Sequence, residues 1–441
     1  MFIPRRSSIK CHALRWRRWP PPSLLVALVA GGMFSACTDT SLDMVPAPVV
    51  YKDERIDLEK RLHPELRSTQ LPVFYATNRA PVSPGEPGHY SASENDKVTL
   101  GVAQVRLGGP GWTWADLVKS DRVSTIEQPR PAQVGEVHEW GTLGNQYELN
   151  EAEEAFVARI NTQLSMTRSQ DLVFYVHGYR VTFDEVSVLM GSFAHYLGHA
   201  ATVSFQWPTG VHFLNYSTDC SRARKYVSDI ERLITVIAQS KAEHLNLVAY
   251  SCGSPLLAEA LIRLRRHFPD ERGDTLRRRF RIGNVIFAAS DIDLKTFTRE
   301  VFSPIMELSS QVLVYISKND AALAFSSLMA GGSRLGNPKA SELTREDLDA
   351  LAADPRFEVI DVSDVRGAHE MGGMKGHGYW FANEWISTDI TISMGYPIPA
   401  KQRCLAPGPA KNIWRLPKDY PDCLVKRLLE KYPDMKRSPV T

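Results

Sequence analysis

The sequence predicts an α/β fold with a mostly parallel central sheet flanked by helices and an antiparallel strand pair on its N-terminal side. Three observations carry this. From about residue 150 onward, short apolar β-rich runs alternate with helical stretches of twelve or more residues, the pattern of repeated βαβ units. Before them, Leu71–Arg79 and Val98–Leu107 read as two strands joined by a loop rich in Pro, Gly and Ser. Hydrophobic residues at 43% and charged residues at 23% of 441 are ordinary for globular chains, which excludes disorder or a multi-span membrane protein for the bulk of it.

Element by element, residues 1–23 carry Arg5, Arg6, Lys10, Arg15, Arg17 and Arg18 and no acid, and an apolar run, Leu24–Ala36, follows. That is the order of a secretory signal, and the run is shorter than the roughly 20 residues a membrane span needs. Small residues directly precede Cys37, which is expected to be acylated as in bacterial lipoproteins, although Phe34 stands where that signal usually has Leu. Residues 37–70 mix Pro and charge and read as a tether. Residues 108–147 have no readable period. The β-rich runs 171–176, 201–207, 245–250, 281–289, 311–316 and 357–362 alternate with expected helices over 151–165, 183–197, 219–240, 255–268, 294–308 and 378–387. Residues 71–390 therefore form one domain, and 391–441 a Pro-rich C-terminal extension. Cys404 and Cys423 lie in that extension, and in an oxidising compartment they are a possible disulfide.

The formal charge of +2, from 52 basic and 50 acidic residues, gives no reason to expect nucleic-acid binding. Loss of residues 1–36 would remove six basic residues and no acid, leaving a mildly acidic mature chain.

Chemistry concentrates at Ala249-Tyr250-Ser251-Cys252-Gly253, where a buried run passes through a turn into a helix. Small residues at two-residue spacing around the Ser permit the tight turn that exposes a nucleophile. Cys252 as nucleophile would put Tyr250 where the turn needs a small side chain, so Ser251 is favoured and Cys252 supplies a backbone N–H. His177-Gly178-Tyr179 follows an early strand, where Gly178 is expected to allow the turn and the Tyr179 amide to complete an oxyanion hole. His177 itself is read as structural. A general base is expected late in the chain: His377 between Gly376 and Gly378, with His369 as alternative. His369-Glu370 begins like a zinc-protease motif but lacks the second His one turn on, so no metal is expected. Asp320, after the strand 311–316, is the expected acid, with Asp291 as alternative, and either would also serve as a helix N-cap.

Together with Val73–Arg79, Gln206-Trp207-Pro208, Ser290-Asp291-Ile292-Asp293 and Ser317–Leu323, these stretches resemble an uncharacterised bacterial esterase/lipase-like branch of the α/β hydrolase superfamily over residues 71–390. The resemblance implies an α/β hydrolase fold and a triad of Ser251, Asp320 and His377. The branch usually reads His-Ser-Met-Gly at the elbow, so Tyr250 and Cys252 depart from it. Ser290 likewise replaces a usual Pro. The resulting expectation is a lipid-tethered envelope serine hydrolase acting on esters with small or medium acyl chains, without a cofactor. Acyl transfer by the same triad, or a catalytically silent binding scaffold, are the alternatives.

Overall fold

The computed structural model describes residues 42–437, except 126–127, 129, 147, 211–215, 369–375 and 396–397. Its strands are β1 (Leu42–Asp43), β2 (Gln70–Pro81), β3 (Tyr90–Leu107), β4 (Pro131–Thr142), β5 (Leu172–Val176), β6 (Ala201–Gln206), β7 (Leu245–Tyr250), β8 (Ile282–Ala288), β9 (Ser309–Ile316), β10 (Phe357–Asp361), β11 (Ala406–Pro407) and β12 (Ile413–Arg415). They form one sheet in the order β1-β4-β3-β2-β6-β5-β7-β8-β9-β10-β12-β11. Pairing is parallel from β2 through β6, β5, β7, β8, β9 and β10 to β12. On the other side, β2, β3, β4 and β1 pair antiparallel.

The central strands are short and apolar because both their faces are covered. Along β5, Leu172, Phe174 and Val176 enter one core cluster while Val173 and Tyr175 enter the other. Successive strand residues point to opposite faces, so an unbroken apolar run serves two helix layers at once. Capping boxes fix where two of the crossover helices begin. Asn150 and Glu153 exchange side chain–backbone hydrogen bonds, both 2.9 Å, at the start of Glu151–Met166. Thr182 and Glu185 do the same at Phe183–Tyr196. Among the described residues no helix is long and apolar enough to cross a membrane.

Four expectations need correction. Residues 108–147, which showed no period, supply β4, so the N-terminal antiparallel group is larger than a pair. Residues 42–70 are not a loose tether. Met44, Val45, Ala47, Val50 and Ile56 are buried in the second core cluster, and apolar spacing that fits neither a helix nor a strand hid this. The helix expected over 219–240 is divided into Tyr216–Arg222, a 3₁₀ turn Ala223–Tyr226, and Val227–Ile237. The described part of the extension, 391–395 and 398–437, is part of the fold: its β12 continues the parallel sheet and Tyr420–Lys431 packs as a helix. Residues 1–36 and Cys37 lie outside the described residues.

Candidate active site

In parallel sheets, loops at the carboxyl ends of the strands converge, and ligand sites form there. Ser251 directly follows β7 and ends its strand in left-handed backbone, φ 52°. This conformation is costly for a residue with a Cβ and persists only where neighbours enforce it. They do: the Ser251 N–H donates to Ala288 O at 3.1 Å, while its carbonyl accepts from Ser254 N at 3.0 Å and Asp291 N at 3.2 Å. The helix Gly253–Arg266 starts immediately afterwards, with Cys252 as its N-cap.

The turn needs its small residues. A Cβ on Gly253 would sit 2.4 Å from His177 O, and one on Gly178 would sit 2.9 Å from the Ser251 Cβ. The loop after β5 therefore lies directly against the elbow. Ala249, the other small flank, is fully buried.

His377 Nε2 lies 2.7 Å from Ser251 Oγ, and its Nδ1 lies 2.8 and 3.0 Å from the two Asp320 oxygens. Nδ1 faces a carboxylate, so it carries the proton and leaves Nε2 to accept from the Ser251 hydroxyl. Asp320 is fully buried, and its Oδ1 also accepts from Leu323 N at 3.0 Å, capping the helix Ala321–Ala330. Cap and imidazole partner are thus the same carboxylate. Tyr250, the residue before Ser251, sets its ring 5.0 Å from the His377 ring, tilted by 36°, and donates its hydroxyl to His377 O at 3.3 Å.

Asp291 follows the adjacent strand but faces elsewhere. It accepts from Tyr216 Oη at 2.5 Å and Ser326 Oγ at 2.6 Å, and Arg334 Nε stands 3.4 Å away. Burial, followed by the Asp291 charge, raises the Tyr216 phenol well above its ordinary value, so it stays protonated. These residues line a cavity of about 400 Å³ together with Cys252 and Phe325. His369 lies outside the described residues.

His177 is fully buried, and burial together with the nearby Arg79 charge pushes its imidazole down to about 3. It is neutral, stacked on Trp207 at 5.1 Å, and bonded from Nδ1 to Gly178 O at 2.7 Å.

Cys252 is bonded to Cys220 and Cys404 to Cys423. The Cys252 sulfur is therefore not a free thiolate. Sequence reading missed Cys220 and Tyr216, although the cysteine count held a signal. Beyond Cys37 the chain has four Cys, and pairing 404 with 423 leaves 220 and 252. Among the described residues, Asp171, Glu243 and His244 form the one cluster with metal-ligand spacing, at the opposite ends of β5 and β7 from Ser251.

Residues 152–391, more than half of the chain, match a family described as alpha/beta hydrolase of unknown function (DUF900). No curated protein matches. Similar solved structures include Thermogutta terrifontis esterase 2 phosphorylated by paraoxon, at 12% identity and TM-score 0.29, covering 52% of this chain and 84% of that one. A dienelactone hydrolase-like promiscuous phosphotriesterase from metagenomic libraries aligns at 9% identity and TM-score 0.29, covering 51% and 86%. A lipase-esterase related protein from Clostridium acetobutylicum aligns at 10% and 0.25, covering 52% and 95%.

Proposed function

The chain belongs to the alpha/beta hydrolase family of unknown function DUF900, and on that premise we propose that it is a serine hydrolase cleaving carboxylic esters. The observation that carries this reading is the chain of contacts Ser251 Oγ–His377 Nε2–Asp320 on a strained strand-to-helix turn. His377 takes the Ser251 proton as the hydroxyl oxygen attacks the ester carbonyl, and Asp320 holds the ring and stabilises the imidazolium. The Cys252 and Tyr179 amides bind the oxyanion, each such donor lowering the barrier by roughly 3 kcal/mol. The tetrahedral adduct expels the alcohol, which leaves with the His377 proton. Water, deprotonated by His377, then cleaves the acyl-enzyme and returns Ser251. The ester class rests on the esterase/lipase-like character of the motifs.

The same proposal places the protein in an oxidising envelope compartment, anchored through Cys37. Two disulfides support that environment, since such bonds are rare in a reducing cytosol. Incorporation of a fatty-acid analogue that survives Cys37→Ser would remove the anchor from the proposal.

Fluorophosphonate labelling of the purified chain tests the chemistry. Wild type is expected to be labelled, and Ser251→Ala and His377→Ala are expected not to be. An unlabelled wild type, or equal labelling of Ser251→Ala, overturns the proposal.

A further inference from the structure

The stretch Thr77-Asn78-Arg79 at the end of β2 and the residues Trp207 and Thr209 after β6 take no part in the triad, yet they close on the loop carrying Tyr179. Trp207 Nε1 donates to His177 O at 3.0 Å, and Thr77 Oγ1 donates to Gln206 O at 2.6 Å. Arg79 reaches the far end of the same loop, donating from Nη2 to Val181 O at 2.8 Å and from Nη1 to Ser91 O at 3.4 Å.

Arg79 is only 1% exposed, and its Nε has no partner. Among the described residues no carboxylate pairs with it, and Glu185 acts on it only through space. A buried charge without an ion partner is normally selected against, because removing it from water costs more than neutral carbonyls return. Burial draws its pKa down to about 10, which leaves it a cation at neutral pH. Its field reaches the loop, where it adds to burial in keeping His177 neutral.

Shape alone does not require this residue. Thr209 Oγ1 already donates to Val181 O at 3.1 Å and accepts from Val181 N at 3.3 Å, so the loop end keeps its partners without the guanidinium. Arg180, in the loop itself, is partly exposed; what Arg79 supplies is a fully buried permanent positive charge, and in such a low-dielectric site fixed charges act most strongly on charge that develops during reaction.

We infer that Arg79 is a positioning residue of the ester-cleaving site, acting through the 177–181 loop to favour the oxyanion at the Tyr179 amide. This rests on the serine-hydrolase reading and deepens it. No proton leaves Arg79 and no bond to it forms.

The test compares full-length wild type, Arg79→Met and Arg79→Lys. The readouts are turnover of p-nitrophenyl butyrate, inhibition by a trifluoromethyl ketone that forms an oxyanion on Ser251, and thermal melting. Arg79→Met is expected to melt no lower than wild type, because an unpaired buried charge is gone. It is expected to lose about tenfold to hundredfold in kcat with KM within about twofold, and to lose ketone affinity by a similar factor. Arg79→Lys, which keeps the charge, is expected to recover most of both losses. Wild-type kcat in Arg79→Met, or a loss that appears only with a lowered melting temperature and raised KM, overturns the inference. If Arg79→Met does not fold, Arg79→Lys decides: ketone affinity near wild type supports the charge, and a hundredfold loss in a stable protein overturns it. Wild-type labelling by fluorophosphonate separates the two claims. An unlabelled wild type defeats the hydrolase reading, whereas a labelled, active wild type matched by Arg79→Met defeats only the role of Arg79.

Discussion

Asp320 and Asp291 follow adjacent strands, β9 and β8, and from spacing alone either could reach a late histidine. Their partners separate them. Asp320 holds His377 Nδ1 with both oxygens, while Asp291 is saturated by Tyr216, Ser326 and Arg334. Asp320→Asn keeps the helix cap, because an amide oxygen can accept from Leu323 N as well as a carboxylate does. It also turns the imidazole toward the wrong tautomer. The expected result is a folded protein with kcat lowered by roughly 10³–10⁴, against a loss within about tenfold for Asp291→Asn. Steady-state kinetics beside circular dichroism decides it, and equal losses would leave the two acids undistinguished. At this scale the tight turn at Ser251 was legible, since small residues at two-residue spacing mark it in the sequence. The direction in which a side chain turns after its strand ends is set by tertiary neighbours, and those are absent from spacing.

Among the elements, the strands from β5 to β10 were readable because two-sided burial writes continuous apolar runs into the chain. β4 was not, since its sequence, Pro131–Thr142, carries Gly135, Glu136, His138, Glu139 and Gly141 and leaves no residue but Ala132 fully buried. The helix Tyr216–Arg222 was misplaced for a related reason: none of its residues is fully buried, so it shows no apolar face to fix its ends. Its attachment is covalent. Cys220 ties it to Cys252, beside Ser251, closing a separation of 32 residues in sequence. A bridge of that span typically adds roughly 3–4 kcal/mol by restricting the unfolded chain. Replacing both partners, Cys220→Ser with Cys252→Ser, is expected to lower stability by about that amount and to speed amide exchange over 216–222. Fluorophosphonate labelling should persist, because the contacts among Ser251, His377 and Asp320 do not pass through the sulfurs. Unchanged exchange in that helix would show that Tyr216 and its hydrogen bond to Asp291 suffice to hold it.

Across the whole molecule, the two ends of the described chain are fastened to the sheet: residues 42–58 at the second core cluster, and 398–437 through Arg403. Arg403 is fully buried, with Nε 2.9 Å from Asp389 Oδ1, Nη2 3.5 Å from Glu358 Oε2, and Nη1 3.1 Å from Ile398 O. Tyr315 and Tyr420 add hydrogen bonds to Asp389 at 2.6 and 3.2 Å. The cation therefore joins the C-terminal segment to β10 and to the helix Glu384–Gly395, a link that composition could not disclose because it unites residues far apart in sequence. Arg403→Met fills similar volume but leaves two buried carboxylates facing each other without their cation. Removing one partner of a buried ion pair typically costs 3–5 kcal/mol, roughly the amount expected here. The pH dependence has a definite sign. Burial already raises the Glu358 pKa, with Arg403 opposing that rise, so losing Arg403 moves it further up. A carboxyl with a raised folded-state pKa keeps its contribution below the unfolded pKa and loses it as pH rises through the folded one. Urea unfolding should therefore show a larger deficit for Arg403→Met at pH 8 than at pH 5. A deficit independent of pH would mean that the two carboxylates find new partners when Arg403 is lost, and that packing rather than charge holds the C-terminal segment to the sheet.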